Sequence, residues 1–443
     1  MVNLPDNVKI ALQRLHDSGY SAYVVGGSVR DSLMGLPVHD WDITTSALPS
    51  QTKEVFSDCK TVDTGIKHGT VTLIYDDVPL EITTFRTEGE YLDCRRPSSV
   101  SFTDALAEDL VRRDFTINAM VYSEESGVID LYGGIDDINN KIIRAVGNPV
   151  ERFEEDALRI MRALRFSARL GFTIEENTAR AALECRSRLR LVSAERIAAE
   201  LCGILCAEAP GKILSEYAEI FFEIIPELRA QYKHTQFGKK HAYDIWEHTC
   251  HTIDGIEPDR ILRLTMLLHD SGKPACEGFD AEGNSTFKGH ASAGEAIARP
   301  ILEALRLDKR TINTVAFLVG IHDKRVPTSK QEVKLYLKEL GDENFQRLMK
   351  IRRADRGALA EGYNDISELL ANAYRYYDEV KTGRECYNLS QLAVKGSDII
   401  KLGYSPSDTG AVLDRALELV IQDKLPNQKE AIILYLKENK EEK

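Results

Sequence analysis

The stretch from Gly26-Gly27-Ser28-Val29-Arg30-Asp31 to Asp40-Trp41-Asp42-Ile43 decides the fold of the N-terminal part of the chain. An apolar run, Ala22-Tyr23-Val24-Val25, stops at the two glycines, which predicts a strand, a tight turn and a helix from Ser28. Glycine lets the backbone approach a phosphate closely, so Gly27 and the following helix start are candidates for binding one. Arg30 on that helix can pair with an oxygen of a triphosphate.

Asp40 and Asp42 complete this constellation. If Trp41-Asp42-Ile43 is a strand, side chains two residues apart point to the same face, so both carboxylates face one centre. Two such carboxylates can share Mg²⁺ ions, one activating an attacking hydroxyl and the other neutralising a leaving pyrophosphate. Strand-like runs follow at 70–75 and 80–85, and Glu81 in the second run is a weaker candidate for a third acidic group. The alternative is a turn followed by two surface aspartates, which the compound motif disfavours.

Length and composition restrict the class of protein. The chain has 443 residues, enough for two to four domains, and a formal net charge of −13. That charge argues against a polyanionic partner, but arginines are concentrated between residues 159 and 196, where a local basic surface can still hold RNA. The chain shows no leader pattern, no long apolar run and no CxxC pair among its eight cysteines. We therefore expect a cytoplasmic protein without a membrane span.

A second constellation lies at 155–165, where the pattern is helical. Asp156, Arg159, Arg162 and Arg165 recur every three residues, so neighbours in the series share a helix face. Aspartate offers only acceptors and arginine only donors. One Asp and one Arg can therefore meet the pairing edge of both cytosine and adenine, whereas guanine and uracil present the opposite groups. The alternative is an ordinary surface pair of Asp and Arg on one helix.

These segments, taken in order, resemble the signatures of the class II tRNA nucleotidyltransferases and their relatives, the bacterial poly(A) polymerases. The segment 26–43 resembles the first motif of that family. The later motifs are matched by Arg112-Arg113-Asp114-Phe115-Thr116-Ile117-Asn118-Ala119-Met120, Asp130-Leu131-Tyr132-Gly133-Gly134, Glu155 to Arg165, and Ser193-Ala194-Glu195-Arg196-Ile197.

The resemblance implies a function for each segment. It implies that Asp156 and Arg159 select the incoming base and that Arg113, Arg162 and Arg165 lie near the nucleotide, with Asn118 a weaker candidate. The segment 87–97 resembles the flexible loop that the family associates with the switch from adding C to adding A. Full CCA addition to tRNA from CTP and ATP is therefore the leading prediction, and addition of A alone stays open.

A third constellation consists of imidazole and carboxylate groups on predicted helices. These groups suit divalent transition metals, Mg²⁺ or Mn²⁺. The pattern resembles the HD phosphohydrolase superfamily, in which His248, His269, Asp270 and Asp355 would match the metal-binding core. His290 and His322 are candidates for a second metal, and Asp323 competes with Asp355 for the last position. The alternative is a set of packed helical residues without a metal.

The fold class predicted for the whole chain is α+β, with a small mixed β-sheet head followed by helical domains. The expected boundaries are a nucleotidyltransferase head at 1–148, a helical neck at 149–230, an HD-like domain at 231–375 and a tRNA-binding tail at 376–443. Rival functions are a poly(A) polymerase and an HD metallophosphohydrolase whose head only binds RNA. The expected partners are tRNA, CTP and ATP without a membrane, and the sequence sets no oligomeric state.

Overall fold

A computed structural model describes residues 2–38, 40–63, 65–75, 78–89 and 99–439. The chain divides into two compact units. The N-terminal unit comprises Met1–Pro226 with Ala304–Leu307, and the C-terminal unit comprises Glu227–Glu303 with Asp308–Lys443. The expected head and neck thus fall together in the first unit, and the expected HD-like domain and tail fall together in the second.

The strands lie mainly in the N-terminal unit. Among the described residues they are β1 (Ala22–Val25), β2 (Asp42–Thr45), β3 (Lys60–Val62), β4 (Thr70–Tyr75), β5 (Val78–Thr84), β6 (Arg86–Glu88), β7 (Val100–Phe102), β8 (Met120–Ser123), β9 (Gly127–Asp130), β10 (Ile142–Ile143), β11 (Thr173–Ile174), β12 (Gly278–Phe279) and β13 (Ser285–Thr286). Seven of these described strands form one mixed sheet in the order β3-β4-β5-β2-β1-β8-β9. Only β2 and β5 are parallel neighbours in it. The mixed sheet predicted for the head is confirmed.

The helices of the N-terminal unit cover the sheet and make up the part of this unit after residue 148. Those described are α1 (Asp6–Asp17), α2 (Gly27–Leu33), α3 (Pro49–Val55), α4 (Leu106–Val111), α5 (Gly134–Asn140), α6 (Pro149–Glu155), α7 (Leu158–Leu170), α8 (Glu176–Glu184), α9 (Ala194–Leu205), α10 (Gly211–Glu216) and α11 (Ala218–Ile224). The apolar residues of α1, Val8, Leu12 and Leu15, are buried against Val24 and Ile43 of the sheet. Burial of apolar surface on one helix face is the main stabilising term of this layer.

Polar and aromatic contacts join the expected head to the expected neck within the N-terminal unit. Asp114, which follows α4, forms an ion pair with Arg162 of α7 at 2.6 Å. Beside this pair, the rings of Phe115 and Phe166 meet edge to face with centroids 5.8 Å apart. Such an aromatic pair contributes beyond its buried area, so these contacts fix the position of α7 against the sheet.

The C-terminal unit is almost entirely helical. The later helices are α12 (Ile245–Asp254), α13 (Arg260–Leu268), α14 (His290–Ala304), α15 (Lys309–Ile321), α16 (Lys330–Gly357), α17 (Ser367–Thr382), α18 (Gly396–Lys401), α19 (Thr409–Ile421) and α20 (Lys429–Glu438). Helix α16 is interrupted at Gly341, whose φ of 74° only glycine adopts readily. Buried Lys334 of α16 forms ion pairs with Asp423 at 2.8 Å and Glu385 at 3.3 Å, which ties the expected tail to the expected HD-like domain.

Among the helices in the described ranges, none is both long enough and apolar enough to cross a lipid bilayer.

Candidate functional site

The glycine turn between β1 and α2 lies against the side chain of Arg113. Gly26 has a φ of 78°, which favours glycine. A Cβ at Gly26 would lie 3.2 Å from Nη1 of Arg113, so a side chain there would push against this guanidinium. The turn predicted at the glycine pair is therefore required both by the backbone conformation and by the approach of Arg113.

The carboxylates of the head lie on neighbouring strands. Asp42 begins β2 and is in register with Glu81 on the parallel strand β5, so the two side chains share a face. Asp40 lies two residues before Asp42. The pKa of Asp42 is raised by loss of hydration and by the charges of Glu81 and Asp40, against the opposing effect of Arg113. The structure thus brings together the carboxylates predicted from the sequence, including the weaker candidate Glu81, with negative charge in excess.

Arg30, which the sequence makes a candidate to pair with an oxygen of a triphosphate, lies inside the head. It is only 3% exposed, and its guanidinium donates to Asn118 Oδ1 at 2.5 Å and to Asp31 Oδ1 at 2.8 Å. The guanidinium also lies over the ring of Phe166, 5.0 Å from its centroid. A helix residue next to a buried strand turns inward, which the motif alone does not reveal. Arg30 and Asn118 thus support the site from inside, and direct pairing of Arg30 with a phosphate stays a prediction.

Arg113 has a different environment. Its Nη2 lies 3.4 Å from Asp109. Its buried Nε has no hydrogen-bond partner within the described ranges. A buried unpaired donor costs about 1–3 kcal/mol, so a position of this kind suits an acceptor from a ligand.

The predicted helix through 155–165 is broken at Asp156. Asp156 has φ −137° and ψ 100° and lies between α6 and α7. Its carboxylate accepts from the backbone N–H of Leu158 at 3.1 Å, in the way that aspartate commonly caps a helix start. The expectation that Asp156 belongs to the same helix as the three arginines is therefore wrong. The extended backbone at Asp156 ends α6, and its carboxylate caps the start of α7.

The four predicted base-reading and phosphate-binding residues each have a partner that the sequence reasoning missed. Asp156 pairs with Arg196 at 2.7 Å, Arg159 with Glu155 at 2.8 Å, Arg162 with Asp114 at 2.6 Å, and Arg165 with Glu200 at 2.5 Å. Glu155 stands four residues before Arg159, a spacing that local reasoning could have detected. Arg196 and Glu200 come from α9, so no local pattern identifies them.

Asp114 provides a test of the head–neck contact. Burial acts to raise its pKa, but Arg162 and Asn118 outweigh burial and hold the pKa at about 2. A carboxylate whose pKa is lower in the folded than in the unfolded protein stabilises the fold above pH ~4, and this contribution disappears as the pH falls toward 2. The Asp114→Asn protein should therefore lose about 2 kcal/mol or more of unfolding free energy at pH 7.

Urea unfolding of Asp114→Asn and wild type at pH 7, 4 and 3 measures this effect. The difference between the two proteins should shrink as the pH falls. Asp58→Asn, which removes an exposed partner of Arg14, is the matched control and should change little. A difference that stays constant across these pH values would contradict the assigned cause.

The C-terminal unit gathers six predicted metal ligands, which we call the histidine–aspartate cluster: His248, His269, Asp270, His290, His322 and Asp355. Ligand atoms of His248, His269 and Asp270 lie within 4.8 Å of one another, and so do those of Asp270, His290 and His322. Asp270 therefore belongs to both groups. Asp355 Oδ1 lies 3.1 Å from His248 Nε2, whereas Asp323 is exposed.

Backbone hydrogen bonds orient three of the rings toward this centre. Nδ1 of His269, His290 and His322 lies 2.7, 2.6 and 2.7 Å from the carbonyl oxygens of Met266, Phe287 and Val319. A protonated Nδ1 that donates to a carbonyl leaves the Nε2 lone pair for a metal. The spacing i to i+3 within a turn produces this orientation, and the sequence did not reveal it.

Buried charge accompanies the cluster. Burial acts to raise the pKa of Asp270, but neighbouring His269 and Lys273 outweigh it and hold the pKa well below its ordinary value. Lys273 Nζ lies 2.6 Å from Asp270 Oδ2. His269 Nε2 lies 3.2 Å from the same oxygen of Asp270, and both atoms are buried. Imidazole nitrogens and carboxylate oxygens gathered in one buried place fit a divalent cation.

Sequence profiles of known families match three parts of the chain. The profile of the poly A polymerase head domain matches residues 22–144. A profile named for a probable RNA- and SrmB-binding site of polymerase A matches residues 171–231. A profile for tRNA nucleotidyltransferase domain 2 matches residues 287–436.

Individual proteins resemble the chain over most of its length. The CCA-adding enzyme of Levilactobacillus brevis is 35% identical over 437 residues, which cover 97% of this chain and 98% of that enzyme. The CCA-adding enzyme of Ligilactobacillus salivarius is 44% identical, but that alignment spans 55% of this chain and 63% of the relative, less than two thirds of its length. The crystal structure of the Bacillus stearothermophilus CCA-adding enzyme with CTP superposes with a TM-score of 0.73 at 29% identity, covering 98% of this chain and 97% of that one.

Proposed function

Because this chain belongs to the family of CCA-adding enzymes, we propose that it adds C, C and A from CTP and ATP to the 3′ end of tRNA and releases pyrophosphate. The observation that carries this proposal is the register of Asp42 with Glu81, beside Asp40 and Arg113. In this reaction the terminal hydroxyl of the tRNA attacks the α-phosphate of the nucleotide. The enzyme serves tRNA maturation and repair in the cytoplasm, a reducing compartment that suits scattered cysteines without a CxxC pair.

Asp40 and Asp42, with Glu81 beside them, would hold the divalent cation of this reaction. The residues fit such an ion, because burial and the neighbouring charges of Glu81 and Asp40 raise the pKa of Asp42, and a cation would relieve the repulsion among these carboxylates. Oxygen ligands favour Mg²⁺. When bound, the metal lowers the pKa of the attacking hydroxyl and neutralises charge on the leaving pyrophosphate.

The nucleotide would be oriented by arginines and by the glycine turn. Arg113 offers a buried Nε without a partner in the described ranges, and its Nη1 lies against Gly26 of the turn. Arg162 and Arg165 lie on α7 and each forms an ion pair with one carboxylate, that of Asp114 and that of Glu200 respectively. We infer that Gly27, Arg30, Arg113, Arg162 and Arg165 form the nucleotide-binding group, with Arg30 acting from inside.

Asp156 and Arg159 would read the base. Asp156 accepts from Arg196 at 2.7 Å, and carboxylate oxygens keep further lone pairs for the amino group of cytosine or adenine. Arg159 is held by the carbonyl oxygen of Arg112 at 2.7 Å, which limits the movement of its donors. Guanine and uracil would leave buried polar groups unpaired on both sides, at about 1–3 kcal/mol each.

The proposal assigns a separate role to each expected part of the chain. Residues 1–148 would transfer the nucleotide, residues 149–230 would read it, residues 231–375 would carry the histidine–aspartate cluster, and residues 376–443 would hold the tRNA.

Incorporation assays distinguish the proposal from its rivals. Purified protein with Mg²⁺ is given tRNA transcripts that end either at the discriminator base or in C-C, with labelled CTP, labelled ATP or both. The expected result is that C, C and A enter the first transcript and that synthesis stops at CCA. Addition of A to the C-C transcript alone would identify an A-adding enzyme, and a long A tail would identify a poly(A) polymerase.

A second candidate function is favoured by the histidine–aspartate cluster. We propose that it binds divalent transition metals and hydrolyses phosphate esters. The supporting observation is that three imidazole rings are fixed by backbone carbonyls with Nε2 near the shared carboxylate of Asp270. In this chain the activity would accompany nucleotide transfer. A head that only binds RNA would have no need of the carboxylates beside Arg113.

A further inference from the structure

The carboxylate of Asp109 on α4 is fully buried and contacts three separate segments of the head. Its Oδ1 accepts from Arg112 Nη2 at 2.6 Å and from the backbone N–H of Arg86 at 3.4 Å. Its Oδ2 accepts from Thr44 Oγ1 at 3.1 Å and from Arg113 Nη2 at 3.4 Å. Burial acts to raise the pKa of Asp109, but the two guanidinium groups outweigh burial and lower it, so the group is charged at neutral pH.

Three of these four contacts, those with Thr44, Arg86 and Arg113, lead to the proposed transferase site. Thr44 lies two residues after Asp42 on β2, on the same face of the strand. Arg86 begins β6 directly after the strand that carries Glu81. Arg113 lies near the backbone of Gly26 and close enough to Asp42 to lower the pKa of that carboxyl. Asp109 therefore contacts residues that adjoin the carboxylates of Asp42 and Glu81, and is not itself one of the group proposed to bind the metal.

Two carboxylates compete for one guanidinium in this arrangement. Arg113 forms an ion pair with Asp109, and within the described ranges it forms none with Asp42. A guanidinium that moved onto Asp42 would neutralise the carboxylate and occupy the direction from which a cation binds. The charge on Asp109 opposes that movement, because a half-buried guanidinium stays with the partner that compensates its loss of hydration.

We propose that Asp109 is a positioning residue of the transferase site, which holds Arg113 away from Asp42 and so keeps the carboxylates of Asp40, Asp42 and Glu81 available to the metal. This inference rests on the proposed function. Asp109 touches neither the nucleotide nor the metal, so its effect passes through Arg113. Removing Arg113 should therefore cancel the effect of removing the charge on Asp109.

The test measures Mn²⁺ binding directly, by equilibrium dialysis of the full chain. All proteins carry Asp270→Asn, so that the histidine–aspartate cluster does not contribute. Asp109→Asn should weaken Mn²⁺ binding in the head at least about fivefold. The double variant Asp109→Asn with Arg113→Gln should bind Mn²⁺ as well as Arg113→Gln alone, although neither adds nucleotides efficiently.

The matched control is Asp137→Asn. Asp137 is also buried, accepts from a threonine hydroxyl and pairs with an arginine, Arg144, but that arginine is not the one beside Asp42. This control should bind Mn²⁺ like the parent, and circular dichroism and a thermal melt of every variant report whether the fold is retained.

The outcomes separate the two proposals. Unchanged Mn²⁺ binding in folded Asp109→Asn, or a loss that Arg113→Gln does not rescue, would overturn the positioning role while the parent still adds C and A. A parent protein that binds Mn²⁺ normally but adds no nucleotide would overturn the proposed function instead.

Discussion

An Asp42→Asn protein is expected to incorporate nucleotides at least about 1000-fold more slowly than wild type, a loss of about 4 kcal/mol of transition-state stabilisation. Asparagine keeps the volume of the side chain but removes a negative charge that would hold the cation. Asp42 lies in register with Glu81 and close to Asp40, so it contributes to a site whose excess negative charge attracts a cation. Without that charge, a divalent ion would be held by the remaining carboxylates alone.

The measurement is the single-turnover rate of labelled C incorporation into tRNA that lacks CCA, at saturating CTP and Mg²⁺. Glu81→Gln should lose less, about 10- to 100-fold, because Asp40 and Asp42 remain to hold the cation. Asp63→Asn is the control, since Asp63 is a surface carboxylate of the head that pairs with Lys53. If Asp42→Asn kept more than a tenth of the wild-type rate, the assignment of the carboxylates would be wrong.

The second large effect is expected for Asp270→Asn in the C-terminal unit. Asp270 belongs to both groups of ligand atoms in the histidine–aspartate cluster, so one substitution removes a ligand from each. We expect metal binding by this unit to fall below detection and hydrolysis of bis(p-nitrophenyl) phosphate with Mn²⁺ or Ni²⁺ to drop at least about 100-fold. Addition of C and A to tRNA should stay within about twofold of wild type, because the head residues are untouched.

Asp323→Asn is the matched control for this variant, because Asp323 is an exposed aspartate directly after His322. It should retain both metal binding and hydrolysis. A thermal melt of Asp270→Asn is also needed, since Lys273 loses its buried partner at 2.6 Å. A folded Asp270→Asn protein that bound metal as tightly as wild type would refute the assignment of Asp270 as the shared ligand.

Local patterns in the sequence predicted much of this architecture. The apolar run at 22–25, the glycine pair and the run at 70–75 each appear as the expected strand or turn, since alternation and glycine punctuation act over a few residues. The same reasoning was wrong at Asp156, where side-chain capping divides the expected helix into α6 and α7. Capping competes with helix continuation at any aspartate, and only the packed structure decides the outcome.

The partners of the charged residues were beyond local reasoning. Arg30 could be read as a phosphate ligand, yet the structure buries it against Asn118, 88 residues later in the chain. Arg196 and Glu200 come from α9, and Thr44 and Arg86 reach Asp109 from two other segments. Pairing across such separations depends on how strands and helices pack, so no spacing rule identifies it.

The sequence by itself determined the chemistry of this protein: paired carboxylates after a glycine turn, an arginine-rich neck, and histidines with aspartates farther along the chain. It determined these because residue type sets which atoms can donate, accept or bind a metal. The tertiary structure alone decided which of those atoms meet: Glu81 beside Asp42, Asp355 rather than Asp323 beside His248, and Asp109 behind Arg113. The physical reason is that charge interactions act over a few ångströms in space, and only folding brings residues distant in sequence within that range.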